Sequence, residues 1–140
     1  MANPGPATAI TIHPSNLASN QAIRLLAVAT SVNVNATGDQ AVLPIINSTN
    51  YSVSNVVFTN ASISLTTAYA GVFTAPSAAG TGVVANAALS ALTGPTVVSQ
   101  RTVASTATQS GQNLYLNVGT AQGAAATMDV YVYGYDFSTY

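Results

Sequence analysis

The sequence predicts an all-β protein, and three observations carry this prediction. Apolar and polar side chains alternate with period two in many short runs, as they do in half-buried strands. Gly, Pro, Asn and Ser separate these runs roughly every 8–12 residues, a spacing typical of sandwiches and barrels. A single stretch has the spacing of a helix. With 140 residues, the chain is long enough for one domain with its own hydrophobic core.

The chain begins with an expected arm and continues as a series of short strands. Residues 1–8 contain two prolines and a glycine, which predicts an extended N-terminal arm. Residues 9–140 predict a single β-sandwich domain. The strands expected before the C-terminal region are 9–13, 21–35, 42–46, 51–60, 62–67 and 96–107, and 69–74 is expected to be a strand or a loop.

Three of these segments carry additional local signals. In 21–35 the apolar residues change phase near Ala29, which predicts a β-bulge or burial on both faces. Pro44 removes a backbone donor from 42–46, so this strand is expected at a sheet edge. The small residues of 77–82 predict a loop.

Residues 83–92 predict the one helix. Five residues share one face at helical spacing, namely Val84, Ala87, Ala88, Ala91 and Leu92. Gly94 and Pro95 follow as a stop signal. Together these elements predict an antiparallel β-sandwich or jelly roll with one short helix.

The clearest alternation lies in residues 113–119 and 128–135. One face of these two runs carries Leu114, Leu116, Val118, Met128, Val130 and Val132, and the other carries Tyr115, Tyr131, Tyr133 and Tyr135. We expect an antiparallel pair of strands whose tyrosines form a partner-binding surface, because tyrosine combines a large apolar ring with a polar tip. The alternative, in which the tyrosines fill a second layer of the sandwich, stays open.

Charged residues are scarce. The chain has two arginines, three aspartates, no lysine and no glutamate, so that 4% of its residues are charged. We therefore expect no nucleic-acid binding, and no apolar stretch is long enough to predict a membrane span. Without lysine the strand edges lack their usual protection, which predicts self-association. Arg24 and Arg101 are each expected to pair with an aspartate or to contact a partner.

Candidate catalytic and metal-binding residues are few. The chain has no cysteine and a single histidine, His13. A Ser–His–Asp triad is formally possible with Asp39, Asp129 or Asp136, but no Gly-x-Ser-x-Gly motif accompanies it. The aspartates also lack the spacing of a calcium loop. We expect no enzymatic activity, no metal site and no cofactor.

The C-terminal motif consists of NLYLNVGT at 113–120, a Gly/Ala-rich connection, and DVYVYGY at 129–135. It resembles the ending of small structural proteins of tailed bacteriophages. The whole chain, nearly uncharged, with ITIH at 10–13 and rich in Asn, Thr and Ala, is similar to jelly-roll capsid decoration (cement) proteins of tailed double-stranded DNA bacteriophages. Of that family's functional residues, only the tyrosine-bearing strand can be carried over.

The resemblance implies a β-sandwich that clamps the outer capsid surface of the virion, after synthesis in the host cytoplasm. The implied partner is the major capsid protein, and the implied state is a homo-oligomer, a dimer or a trimer.

Two functions of different classes are therefore expected. The first is a non-enzymatic virion protein that cements an icosahedral capsid by bridging major capsid proteins. Its expected contact residues are Tyr115, Tyr131, Tyr133, Tyr135, Arg24 and Arg101. The alternative is a carbohydrate- or receptor-binding β-sandwich, such as a phage fibre tip, in which aromatic rings stack on sugars.

Overall fold

The computed structural model describes residues 23–138, in which the chain forms eight β-strands. They are β1 (Arg24–Asn33), β2 (Gly38–Pro44), β3 (Tyr51–Thr59), β4 (Tyr69–Ala75), β5 (Ala79–Ala88), β6 (Val98–Arg101), β7 (Asn113–Thr120) and β8 (Thr127–Asp136). The predicted arm, the predicted strand 9–13 and His13 lie outside the described residues.

The eight strands form two antiparallel sheets of four strands each. One sheet has the order β1-β8-β3-β6 and the other has the order β2-β7-β4-β5. Residues from both sheets form one hydrophobic cluster, which includes the fully buried Leu26, Phe58, Leu116 and Val130. Full burial of one such side chain stabilises the fold by about 1.5–3 kcal/mol. The all-β prediction is confirmed, and the two layers are those of a β-sandwich.

Two local predictions about strand irregularities are confirmed. The register of β1 against β8 shifts between Ala29 and Val32, and Ser31 has a φ of 54°, so the predicted bulge is present. Pro44 ends β2, which is an edge strand. Its missing N–H therefore weakens no central ladder.

The helix predicted at 83–92 is wrong, because residues 83–88 pair with β4 as part of strand β5, residues 89–92 form a turn, and no helix occurs in residues 23–138. Much of the loop predicted at 77–82 also belongs to β5. The reversal lies at 76–78, where Ser77 and Ala78 have φ of 58° and 56°, as a type I′ hairpin requires. A short alanine-based helix is marginal on its own. The hairpin gives the same residues a partner strand.

Two further predicted strands are absent or shorter. Residues 62–67 form no strand, although Leu65 is buried and its N–H donates to the Leu92 carbonyl oxygen at 2.9 Å. Of residues 96–107, only Val98–Arg101 is a strand. Beyond it, the N–H of Ala104 donates to the Val83 carbonyl oxygen of the other sheet at 2.8 Å. The alternation of apolar and polar residues at 62–67 thus belongs to a loop, which the buried Leu65 holds against the core.

The antiparallel pairing predicted for the two C-terminal strands is wrong. β7 pairs with β2 and β4, whereas β8 pairs with β1 and β3 in the opposite sheet. The predicted core faces are nevertheless correct, since these side chains are all buried: Leu114, Leu116, Val118, Met128, Val130 and Val132. Both sheets bury their inner faces in the same core, so alternation alone does not identify the neighbouring strand.

Gly134 allows β8 to fit closely between β1 and β3. A Cβ atom at this position would overlap the Ser52 carbonyl oxygen and lie 2.7 Å from Cδ1 of Leu26. We predict that Gly134→Ala destabilises the protein by about 2–3 kcal/mol, because backbone has to move to admit the methyl group.

The control is Gly94→Ala, where a Cβ would meet nothing within 4 Å. It is expected to change the free energy of unfolding by less than about 0.5 kcal/mol. Urea denaturation of both variants measures the difference. Equal stability of the two variants would show that β8 is not tightly fitted at Gly134.

Candidate functional site

The tyrosines of β8 lie on the outer face of the β1-β8-β3-β6 sheet. Tyr131, Tyr133 and Tyr135 alternate with buried residues and therefore point away from the core. Strands β1 and β3 place aliphatic side chains beside two of these rings. We define the tyrosine face as the following six residues: Leu25, Val28, Val57, Tyr131, Tyr133 and Tyr135.

The tyrosine face is uncharged, and all six side chains are half-buried. The Tyr135 ring stacks on Phe137, with 6.5 Å between centroids and an angle of 22° between the ring planes. Phe137 is itself 44% exposed, and Val98 on the edge strand β6 is 65% exposed. Aromatic and aliphatic groups without charges are the composition of the centre of a protein–protein interface.

Tyr115 lies on the opposite side of the sandwich, so the prediction of a single surface lined by four tyrosines is wrong. It belongs to β7, where Leu114 and Leu116 point into the core, and its cross-strand neighbours are Val42 and Phe73. We call Val42, Phe73 and Tyr115 the Tyr115 patch. Each outer face of the sandwich therefore carries aromatic and aliphatic groups.

The three aspartates act as hydrogen-bond acceptors for the backbone. Each accepts from the N–H of a serine: Ser77 to Asp39 at 2.6 Å, Ser31 to Asp129 at 2.7 Å, and Ser138 to Asp136 at 2.9 Å. Ser31 and Ser77 have positive φ, a conformation that costs on the order of 1 kcal/mol or more for a residue with a side chain. Two of the carboxylates thus hold backbone positions that have positive φ.

Arg24 is paired with an aspartate, one of the two roles expected for it. Its Nη1 lies 3.1 Å from Oδ2 of Asp136, and its Nη2 donates to the Ile46 carbonyl oxygen. Asp136 is fully buried and also accepts from the Ser48 hydroxyl at 2.7 Å, while the Arg24 side chain keeps 29% exposure. This cluster joins the start of β1, the connection between β2 and β3, and the end of β8.

Arg101 has no such partner, since no carboxylate of residues 23–138 lies within salt-bridge distance of it. Its guanidinium carbon lies 5.4 Å from the centre of the Phe58 ring, a cation–π contact. Its Nη1 donates to the Ala88 carbonyl oxygen at 3.2 Å, and its Nε is buried without an acceptor. Burial lowers the pKa of Arg101 because it removes water from the charged group.

Two residues near these surfaces were missed by the sequence analysis. Tyr51 is fully buried, and its hydroxyl donates to the Gly111 carbonyl oxygen at 2.8 Å. Burial raises the pKa of Tyr51 to about 12. Asn55 lies beside Tyr133, and its Oδ1 is buried without a hydrogen-bond donor. Neither feature has a sequence signal, because each depends on which strands become neighbours.

We predict that the Arg24–Asp136 pair is energetically coupled. Asp136→Asn should destabilise the protein by about 2 kcal/mol or more, since it leaves the guanidinium without its buried counter-charge. In a double-mutant cycle with Arg24→Met, the destabilisation of the double variant should differ by about 1 kcal/mol or more from the sum of the two single destabilisations. Thermal or urea unfolding provides the four stabilities. Strict additivity would show that the pair contributes no coupling.

A second prediction concerns Tyr51 and alkaline pH. Its pKa is raised in the folded state, so above its ordinary pKa of about 10 the unfolded chain loses this proton more readily. The stability contributed by the neutral hydroxyl is complete below that pH and is lost as the pH rises toward 12, by up to about 1.4 kcal/mol per unit.

The matched control is Tyr51→Phe, which keeps the ring and lacks the titrating group. Between about pH 9 and pH 11, where unfolding remains measurable, the stability of Tyr51→Phe should fall less steeply than that of the wild type. Parallel curves would mean that the pKa of Tyr51 is the same in the folded and the unfolded state, which would contradict the prediction.

Residues 23–138 contain no group of three or more His, Cys, Asp or Glu side chains that could hold a metal ion. In the same residues, no helix is long and apolar enough to cross a membrane. Comparisons of the chain with models of protein families, with curated proteins and with solved structures found no match.

Proposed function

We propose that this protein cements an icosahedral capsid by bridging neighbouring major capsid proteins on the outer surface of a virion. The observation that carries the proposal is the presence of uncharged apolar groups on both outer faces of the sandwich, as the tyrosine face and the Tyr115 patch. A protein with two such faces can contact two neighbours at once. The C-terminal resemblance to phage decoration proteins is what supports a capsid as the assembly.

The strand order supports a jelly-roll topology for this sandwich. Eight strands divide into two four-stranded sheets, and β8 lies between β1 and β3 while β7 lies between β2 and β4. This alternation of early and late strands is what two interleaved Greek keys produce. Jelly rolls are common in viral capsid proteins, so the topology and the proposed assembly agree.

The proposed mechanism is burial of neutral surface at many equivalent sites. Each contact is modest, but a particle that offers many copies of the same site retains the attached protein strongly. The edge strands of the described sheets are β1, β6, β2 and β5, and none of them carries a lysine. Edges without lysine favour pairing with another chain, which supports a dimeric or trimeric form.

A carbohydrate-binding function is the second candidate, and one observation favours it. Asn55 is the cross-strand neighbour of Tyr133, and its Oδ1 has no hydrogen-bond donor. Sugars are bound by stacking on aromatic rings together with hydrogen bonds to amide groups. The tyrosine face and the neighbouring Asn55 together carry both kinds of group.

The test begins with purified virions. The protein should be present at a fixed ratio to the major capsid protein, measured by quantitative mass spectrometry, and should rebind to stripped shells. Tyr133→Ser should weaken rebinding by roughly 30-fold, corresponding to about 2 kcal/mol for an aromatic anchor.

Tyr133→Phe is the control, because it keeps the ring and should rebind within a few-fold of the wild type. Melting temperatures of the free variants separate a loss of contact from a loss of folding. If Tyr133→Ser melts early but binds fully, the tyrosine face is structural and the proposed contact is wrong. Absence from virions together with saturable glycan binding would favour the second candidate.

A further inference from the structure

A cleft runs along one side of the sandwich, between the edge strands β5 and β6. It has a volume of about 200 Å³. The strands belong to different sheets, so the cleft lies at an edge of the sandwich, where the space between the two sheets opens to solvent. Its walls are formed by Val84, Ala85, Ala87, Gln100, Arg101 and Thr102.

Arg101 is the charged residue of this cleft, and its charge is only partly compensated. The Ala88 carbonyl oxygen and the Phe58 ring supply a partial negative charge, but no carboxylate in the described part of the chain is within reach. The buried Nε has no acceptor at all. A buried donor left without a partner costs about 1–3 kcal/mol, and more when it carries charge.

Arg24 provides a comparison, because the charge of its guanidinium group is compensated within the described residues. That side chain has a buried carboxylate at 3.1 Å and a second acceptor in the Ile46 carbonyl group. Arg101 has a ring and a carbonyl oxygen as partners but no carboxylate in residues 23–138. An anion beside Arg101 would therefore have to come from outside the described residues.

We propose that the cleft between β5 and β6 is a binding site for a carboxylate group, with Arg101 as its anchor. The carboxylate oxygens would accept from the guanidinium N–H groups of Arg101 that line the cleft and do not already donate to the Ala88 carbonyl oxygen. Guanidinium groups bind carboxylates in a two-pronged manner. Val84 and Ala87 provide an apolar wall for the short hydrocarbon stem that carries such a group.

The lining favours a carboxylate over a phosphate. Arg101 is the one cation among the lining residues of the cleft, and the protein has a net charge of −1. Arg101 would neutralise only half of the charge of a phosphate dianion, whereas the single negative charge of a carboxylate equals the single positive charge of a guanidinium group. The ligand can be an acidic side chain of a partner protein or a small free carboxylate, and the site itself does not depend on the proposed capsid function.

The presence of only two arginines permits a direct test by NMR of the protein labelled with ¹⁵N. The two Nε–H signals are assigned with Arg24→Lys and Arg101→Lys. Titration with sodium acetate should shift the Arg101 signal along a saturable curve and leave the Arg24 signal in place. Sodium chloride at equal ionic strength is the control, and equal shifts in both salts, or equal shifts of both arginines, would overturn the proposal.

Two peptides separate the two sources of the carboxylate. Acetyl-Ala-Asp-Ala-amide should produce the same Arg101 shift, and acetyl-Ala-Asn-Ala-amide should produce none. Tenfold tighter binding of the Asp peptide than of acetate would identify a protein side chain as the ligand, whereas equal affinity would identify a small carboxylate. In Arg101→Lys, which keeps the charge but lacks the planar fork, the shifts of the Val84 and Ala87 amides should indicate at least fivefold weaker acetate binding.

Discussion

One end of the sandwich depends on the interactions of the buried Asp136 carboxylate. This carboxylate joins the first and last strands of the described chain through Arg24 and fixes the connection before β3 through Ser48. The chain has only three acidic side chains, and the other two hold bends at Ser31 and Ser77. Each of the three acidic side chains thus accepts a hydrogen bond from the backbone N–H of a serine.

Most of the strands and the core faces of the C-terminal ones could be predicted from the sequence, whereas the neighbours of each strand could not. Period-two alternation correctly identified the inner side chains of β7 and β8, because that pattern reflects burial directly. It could not assign β7 and β8 to different sheets, since both sheets bury the same core. Tyr115 is separated from Tyr131, Tyr133 and Tyr135 because β7 and β8 belong to different sheets. This separation could therefore not be predicted from the sequence.

The error at 83–92 and the difference between the arginines have a common cause. Alanine is compatible with either a helix or a strand, so the neighbouring strand β4 decides the outcome. The two arginines are likewise equivalent in sequence, each within a strand-like segment. Only the fold brings Arg24 to Asp136 and places Arg101 over Phe58, because both contacts join residues far apart in the chain.

The position of β7 and β8 within the sheets bears on how the protein is made. Each is a central strand, yet they are the last two strands of residues 23–138 to leave the ribosome. Until they emerge, β1 and β2 lack every neighbour that they have in the finished sheets. Folding of both layers must therefore wait until β8 has emerged, and the nascent chain carries unpaired strands during that time. Such chains aggregate readily, so rapid burial in an assembly or help from a chaperone would protect it.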